Sequence, residues 1–341
     1  VQDEIMQNPW LPASLVPDMN AIIGPLSIII FVMVLDALSR LAPALRDHTR
    51  PLLGLPHSIL EWLYKKLARN NRTSVELQKR GLFALMVIGV VGIGVAWVGQ
   101  YIILHARYGH YVMWFFVWQW SAAWTIARLV LALDKPDAKQ FKQIVTRHRL
   151  APLTILPDKA DAATFYRATI EILAISLVHG LFAPLTYALL AAALGYPAFY
   201  GAVFGVMGAL LASQRPVDAT QRQFSYILQN AGAGILFLPS RLAGLMVVLA
   251  SLFTPKANFI KAFSTMVRDG HRYQPYSLGW VMAAISGAFG IAFSLPGGAW
   301  LGGQTGTARI DKSALWRALW LHGVTILLLL LVLCAVLLLA V

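Results

Sequence analysis

Ionisable side chains are scarce in the long apolar stretches of this 341-residue sequence, so each one found there limits the chemistry on offer. Glu171 and His179 stand eight residues apart, about two helical turns, and so fall on the same broad side of one helix. A carboxylate and an imidazole so placed could relay a proton. The structural alternative puts Glu171 at headgroup level and His179 in the interior as a hydrogen-bonded residue. A transporter would add several buried charges or paired interrupted helices, and no internal repeat is visible. Asp36 closes an apolar run and falls at the cytoplasmic headgroups. The histidines at 48, 57, 105, 110, 148, 179, 271 and 322 include no helix-spaced pair suited to zinc. Cys334, the single cysteine, lies in a leucine run, which excludes a disulfide framework or a CxxC site. There is no phosphate-binding glycine loop and no nucleophile elbow. Gly92-Ile93-Gly94 sits inside an apolar run rather than after a strand and reads as helix packing.

The elements that must position these groups follow from composition. Residues are 58% hydrophobic and 13% charged, with a mean hydropathy of +0.65, which excludes a water-soluble enzyme. Against the roughly 20 residues needed to cross a bilayer, five runs qualify: 21–38, 81–104, 111–127, 170–194 and 322–341. Three more, 200–212, 234–253 and 279–301, are shorter or interrupted by glycine and proline and could span or re-enter. The expectation is an all-α polytopic membrane protein with seven or eight transmembrane or re-entrant helices, forming one domain over 1–341 because no long polar linker divides it.

Charge orients this bundle. Of 28 Lys and Arg, nine lie in 39–80 and eight in 128–167, while none precedes Arg40. The positive-inside rule puts those two loops in the cytoplasm and residues 1–20, with Asp3, Glu4 and Asp18, outside a bacterial inner membrane. The basic residues form no continuous patch, so the formal charge of +13 does not predict nucleic-acid binding. No short apolar segment with a cleavage site opens the numbered chain, so a secretory signal is not expected. Asn71-Arg72-Thr73 matches a glycosylation sequon but falls in a loop placed inside. In that first loop, Ile59, Leu60, Leu63 and Leu67 recur at helical spacing opposite Glu61, Lys65, Lys66 and Arg69, which predicts a helix lying on the membrane. In the second, Lys135, Lys139, Lys142, Arg147 and Arg149 precede Asp158 and Asp161. Both loops read as topogenic charge facing anionic lipid, with a phosphate-binding surface as the alternative.

Several short motifs occur in one order along residues 50–320. Pro56-His57-Ser58-Ile59, Arg69-Asn70-Asn71-Arg72-Thr73 and Lys79-Arg80-Gly81 come first; IEILAISLVHGLFAPL at 170–185 follows; then come Leu238-Pro239-Ser240-Arg241-Leu242, Met266-Val267-Arg268-Asp269, Gly279-Trp280 and Gly287-Ala288-Phe289-Gly290. Together they resemble the membrane-bound CobD/CbiB family of cobalamin biosynthesis. The resemblance implies adenosylcobinamide-phosphate synthase chemistry: carboxylate activation and amide formation between an aminopropanol, or its phosphate, and adenosylcobyric acid, with ATP and Mg²⁺. Such a site needs carboxylates to hold the metal against phosphate oxygens.

The pattern departs where that metal would bind. Ile175 and Ser176 stand in place of a glutamate-asparagine pair, and His179 in place of an aspartate. Met207-Gly208 and Gly232-Ala233 fall where further acids belong; Pro275-Tyr276-Ser277 and Met282 replace a polar run and a glutamate. By resemblance only Glu171, Arg241 and Asp269 remain as charged catalytic candidates, and no metal-ligand set is assigned. The expectation is a catalytically silent homologue, a membrane subunit or regulator needing no cofactor. Retained family activity with ATP and Mg²⁺, or kinship with the similar AmpE signalling family, are the alternatives. Tyr111, Met113, Trp114, Phe115, Phe116, Trp118, Trp120 and Trp124 crowd one run and suit either lipid anchoring or a partner-facing surface. The expected partners are the bilayer and a second membrane protein or a further copy of this chain.

Overall fold

Thr73 starts the first long helix. Its hydroxyl accepts the Glu76 N–H at 3.3 Å while the Glu76 carboxylate accepts the Thr73 N–H at 3.4 Å. This reciprocal cap begins α2 (Ser74–His105) well before the apolar run at 81, so Lys79 and Arg80 are helical rather than loop residues. The computed structural model describes residues 26–27, 30, 54–69, 72–107, 130, 141, 161–214, 219–272, 276–294, 300–302, 306–308 and 310–340. The expected runs 21–38 and 111–127, with Asp36 and the tryptophan-rich span, lie outside them for the most part.

Helices dominate. Before α2 comes α1 (Gly54–Leu67); after it come α3 (Ala162–Ile175), a π-helical turn (Ser176–Phe182), α4 (Ala183–Ala193), α5 (Ala198–Ala212), α6 (Ala219–Ile235), α7 (Phe237–Ser251), α8 (Phe259–Asp269), α9 (Tyr276–Phe289) and α10 (Lys312–Ala340). Among the described residues three helices are long and apolar enough to cross a membrane: α2, the continuous Ala162–Ala193 unit and α10. A fourth counts if α6 and α7, bent by 55°, make one span.

The three differ in depth within the protein. Ala162–Ala193 is 72% buried over its most apolar window, against 28% for α2 and 33% for α10, which makes it the central element. On α2, Leu77, Gly81, Ala84, Ile88, Gly92, Ala96, Gly99 and Ile103 form a narrow seam of largely small residues. Gly81 meets the backbone of Phe224, and a Cβ on Gly92 would lie 3.2 Å from Met207. Small residues let helices approach closely where lipid supplies no hydrophobic drive. Gly94 instead faces open space, so only the first glycine of the Gly92-Ile93-Gly94 motif serves packing.

The 55° bend has a local cause. Pro239, four residues after Ile235, has no N–H to give to the Ile235 carbonyl. The Tyr187 hydroxyl donates to that oxygen instead, tying the kink to α4.

Several expectations change in the fold. The 200–212 run is the 15-residue helix α5, and 279–301 stops being helical at Phe289, so neither alone reaches bilayer length. The 234–253 run is mostly the second arm of a bent pair whose first arm begins at Ala219. Helix α1 keeps its predicted faces, with Leu60 and Leu63 buried and Glu61, Lys65 and Lys66 exposed. Its apolar face does not lie on the membrane, however: Leu60 and Leu63 join a cluster with Ile88, Phe199, Val203, Phe224 and Leu228, and Tyr64 packs edge-on to Phe224 at 5.3 Å. Helix α6 offered an apolar partner within the protein, which the α1 sequence could not reveal.

Between α9 and α10 the chain folds back on itself. Phe293–Ser294 pairs antiparallel with Trp300–Leu301, Thr307 donates its N–H to Gly290 O at 2.9 Å, and Ala292 donates to Thr307 O at 2.9 Å. Ile291, Ala292, Phe293 and Leu301 are buried. The result is an inward-folded hairpin at one end of the bundle.

Candidate functional site

The charged candidates are held by separate elements. Asp269 ends α8 and is 1% exposed. Its Oδ1 accepts Arg268 Nε at 2.9 Å and faces Arg272 Nη1 at 3.2 Å; its Oδ2 accepts Arg268 Nη2 at 2.7 Å and the Gly302 N–H at 3.0 Å. Burial pushes the carboxyl toward the neutral form, but the Arg268 and Gly302 hydrogen bonds and the two guanidinium charges win, holding its pKa below the ordinary aspartate value.

Gly302 explains why a main-chain N–H can reach that carboxylate. It sits at φ +73°, a backbone region that side-chain-bearing residues rarely enter, and a Cβ there would collide with the Ser286 hydroxyl. Ser286 in turn donates to the Ile291 carbonyl. Asp269 thus pins the inward-folded hairpin to α8, and Ser286 pins it to α9.

Arg241, near the start of α7, lies between two rings: its guanidinium carbon is 3.4 Å from the Phe237 centroid and 4.5 Å from that of Trp280. It also donates to Phe237 O at 3.0 Å. Trp280 is a common floor, since a Cβ on Gly270 would sit 3.1 Å from its ring and one on Gly244 would lie 3.3 Å from its Cβ. Arg241 and Asp269 therefore flank the same tryptophan, one through the ring and one through the neighbouring Gly270.

Glu171 lies elsewhere, 2% exposed on α3. The side chain is therefore enclosed by the bundle, whatever its depth in a bilayer. The helix then widens into the π-helical turn Ser176–Phe182, which includes His179. Such turns leave part of the backbone ladder rearranged and recur at functional sites. Ser176 donates to Leu173 O at 2.8 Å and lies 3.1 Å from His322 Nε2 of α10. His322 is 2% exposed and Thr325, one turn on, is 0% exposed. His322 was invisible to sequence reasoning as a site residue because its partner is 146 positions away; the only signal was an imidazole at the edge of an apolar run.

Among the described residues, several positions where the resemblance places lost acids are helix crossings; Pro275 lies outside those residues. Met207 packs on Gly92, Gly208 would clash with Ile235 if it carried a Cβ, and Gly232 lies against Ala212. Met282 is 1% exposed on α9. Small and apolar residues there close the bundle.

Asp269, engaged in this way, is poorly placed to hold Mg²⁺. A carboxylate offers about four lone-pair directions; on Asp269 three N–H donors are accepted, two of them from Arg268, and Arg272 adds an ion pair at 3.2 Å. Among the described residues no three His, Cys, Asp or Glu side chains come together. No family model, no curated protein and no solved structure matches the chain.

Proposed function

We propose that this chain is a polytopic subunit or regulator of a bacterial inner membrane, built on a CobD/CbiB-like scaffold that does not perform that family's amide-forming reaction. The observation that supports this reading most is Asp269. Of the two acids that the resemblance retains, Asp269 is engaged by two arginines and a hairpin amide, which supports a role in the fold rather than at a metal. Gly208 and Gly232, at two of the other aligned acid positions, support it in the same way, because each occupies a helix contact. The test is complementation of a strain that cannot attach aminopropanol to adenosylcobyric acid. Failure is expected; growth without added cobinamide that is lost in Glu171→Gln would overturn the proposal.

The proposed topology has seven or eight passes or re-entrant segments, an exterior N-terminus and cytoplasmic loops at 39–80 and 128–167. It rests on charge distribution. Val75, 59% exposed at the start of α2, is the place to test it. With Cys334 replaced by Ala, Val75→Cys is expected to react with a membrane-impermeant maleimide only after permeabilisation, and reaction in intact cells would reverse the orientation.

A further inference from the structure

Helix α8 has three faces of different chemistry. At 3.6 residues per turn, Ala262, Thr265, Met266 and Asp269 share one side, and all four are buried. Ile260, Phe263 and Val267 share a second, exposed by 75%, 47% and 52%. Lys261, Ser264 and Arg268 share a third, and Lys261 and Ser264 are exposed. The faces lie roughly a third of a turn apart, so the helix carries an outward apolar stripe beside an outward polar and basic one.

The turn before it extends both stripes. Leu252 and Phe253 are 56% and 64% exposed. Lys256 is exposed and held at φ +59°, where glycine or asparagine is the ordinary choice. From 252 to 272 the only carboxylate is Asp269, which is buried and already faces two arginines, so no acid in this segment shields the exposed lysines.

Hydrogen bonds tie this turn to other basic starts. Asn258 donates its N–H to Ala288 O at 2.9 Å, Thr307 to Gly290 O at 2.9 Å, and Arg167 to Ala308 O at 3.0 Å. The start of α8, the end of α9 and the hairpin base therefore share one end of the bundle with Arg167 of α3, next to the start of α10 at Lys312.

We propose that residues 252–268 form an interfacial anchor that binds anionic phospholipid, with Phe253, Ile260, Phe263 and Val267 entering the acyl boundary and Lys256 and Lys261 on the phosphates. A helix with an exposed apolar stripe and an adjacent basic stripe, fixed on its third side to the bundle, has the chemistry of a headgroup-level element. A water-facing surface would not carry the apolar stripe, and an uncharged hydrocarbon setting would not suit the lysines. Lysine also gives a reason for the left-handed residue at 256: glycine would relieve the backbone but remove the ammonium.

The full chain, purified in a neutral detergent, is titrated with phosphatidylglycerol or phosphatidylcholine of the same acyl composition and read by native mass spectrometry. Wild type is expected to retain phosphatidylglycerol preferentially. Lys256→Gly with Lys261→Gln is expected to weaken that retention about 30-fold at unchanged or higher thermal stability, since each basic residue near an anionic surface contributes about fivefold. Ile260→Ser with Phe263→Ser is expected to weaken retention of both lipids. Equal retention of the two lipids by wild type, no loss in the lysine variant, an equal loss from Lys66→Gln on α1, or a second protein held in stoichiometric amount by Ile260 and Phe263 would each overturn the proposal.

Discussion

Removing the Asp269 side chain is the sharpest perturbation of the scaffold. In Asp269→Ala the Gly302 N–H loses its acceptor in a buried setting, which costs about 1–3 kcal/mol. Breaking a fully buried ion pair costs about 3–5 kcal/mol. Arg268 and Arg272 keep 33% and 48% of their side-chain surface exposed and can rehydrate, so the ionic part is much smaller here. About 2–3 kcal/mol in total is the expected loss. Asp269→Asn keeps an oxygen for Gly302 and loses the charge, so about half of that is expected. For a chain of this size 1 kcal/mol corresponds to roughly 2 °C in the unfolding midpoint, and thermal unfolding in detergent should fall by about 4–6 °C for Asp269→Ala. Hydrogen exchange should localise the change to residues 300–308. A silent scaffold also predicts that Mg²⁺ leaves the wild-type midpoint unmoved. Unchanged stability and unchanged Gly302 protection in Asp269→Ala would refute the pinning role, and a Mg²⁺-dependent rise abolished in Asp269→Asn would restore the metal reading.

Three further outcomes follow from named contacts. Gly302→Ala should destabilise by about 2 kcal/mol or more and loosen the same hairpin segment by hydrogen exchange, because φ +73° and the Ser286 hydroxyl both oppose a Cβ; a neutral result would mean the hairpin rests on other contacts. Ser176→Ala should cost about 1 kcal/mol in thermal unfolding and His322→Ala more, since each leaves a buried polar partner behind, while the double variant should be less than additive; additivity would show that the 3.1 Å contact carries nothing. Asp161 caps α3 through the Thr164 hydroxyl and N–H, which hold its pKa below the ordinary aspartate value. Its contribution, about 1 kcal/mol for the cap, is present above the unfolded-state pKa and fades as pH falls through the lower folded one; Asp161→Ala should therefore lower the midpoint at pH 7 and flatten the acid limb.

Much of the fold was legible because bilayer physics leaves a strong mark. The 81–104, 170–194 and 322–341 runs fall largely within the three long apolar helices, and the Lys and Arg blocks bound them. What escaped was set by tertiary partners. Leu60 and Leu63 announce an apolar face, yet only Phe224 and Leu228, far along the chain, decide that this face meets protein and not lipid. The gap between Phe289 and Lys312 holds enough apolar residues to pass for part of a span, but Gly290 and Gly302 at positive φ turn it inward.

The candidate site was readable only residue by residue. Composition marked Glu171 as a charge in an apolar run, and only the motif resemblance added Arg241 and Asp269 and attached a shared chemistry to them. Their surroundings separate them: rings for Arg241, cations and an amide for Asp269, and a buried position on a different helix, α3, for Glu171. A buried charge is tolerated only with partners, so the identity of those partners decides its role. Where the partners of Asp269 are themselves cationic, a further cation has no place, and the charge that resembled a relic of catalysis becomes the fastening of a hairpin. Glu171 differs in kind, because it shares α3 with the π-helical turn that brings Ser176 to His322. If any chemistry persists in this chain, that turn and not the Asp269 corner is where substitutions should alter function more than stability.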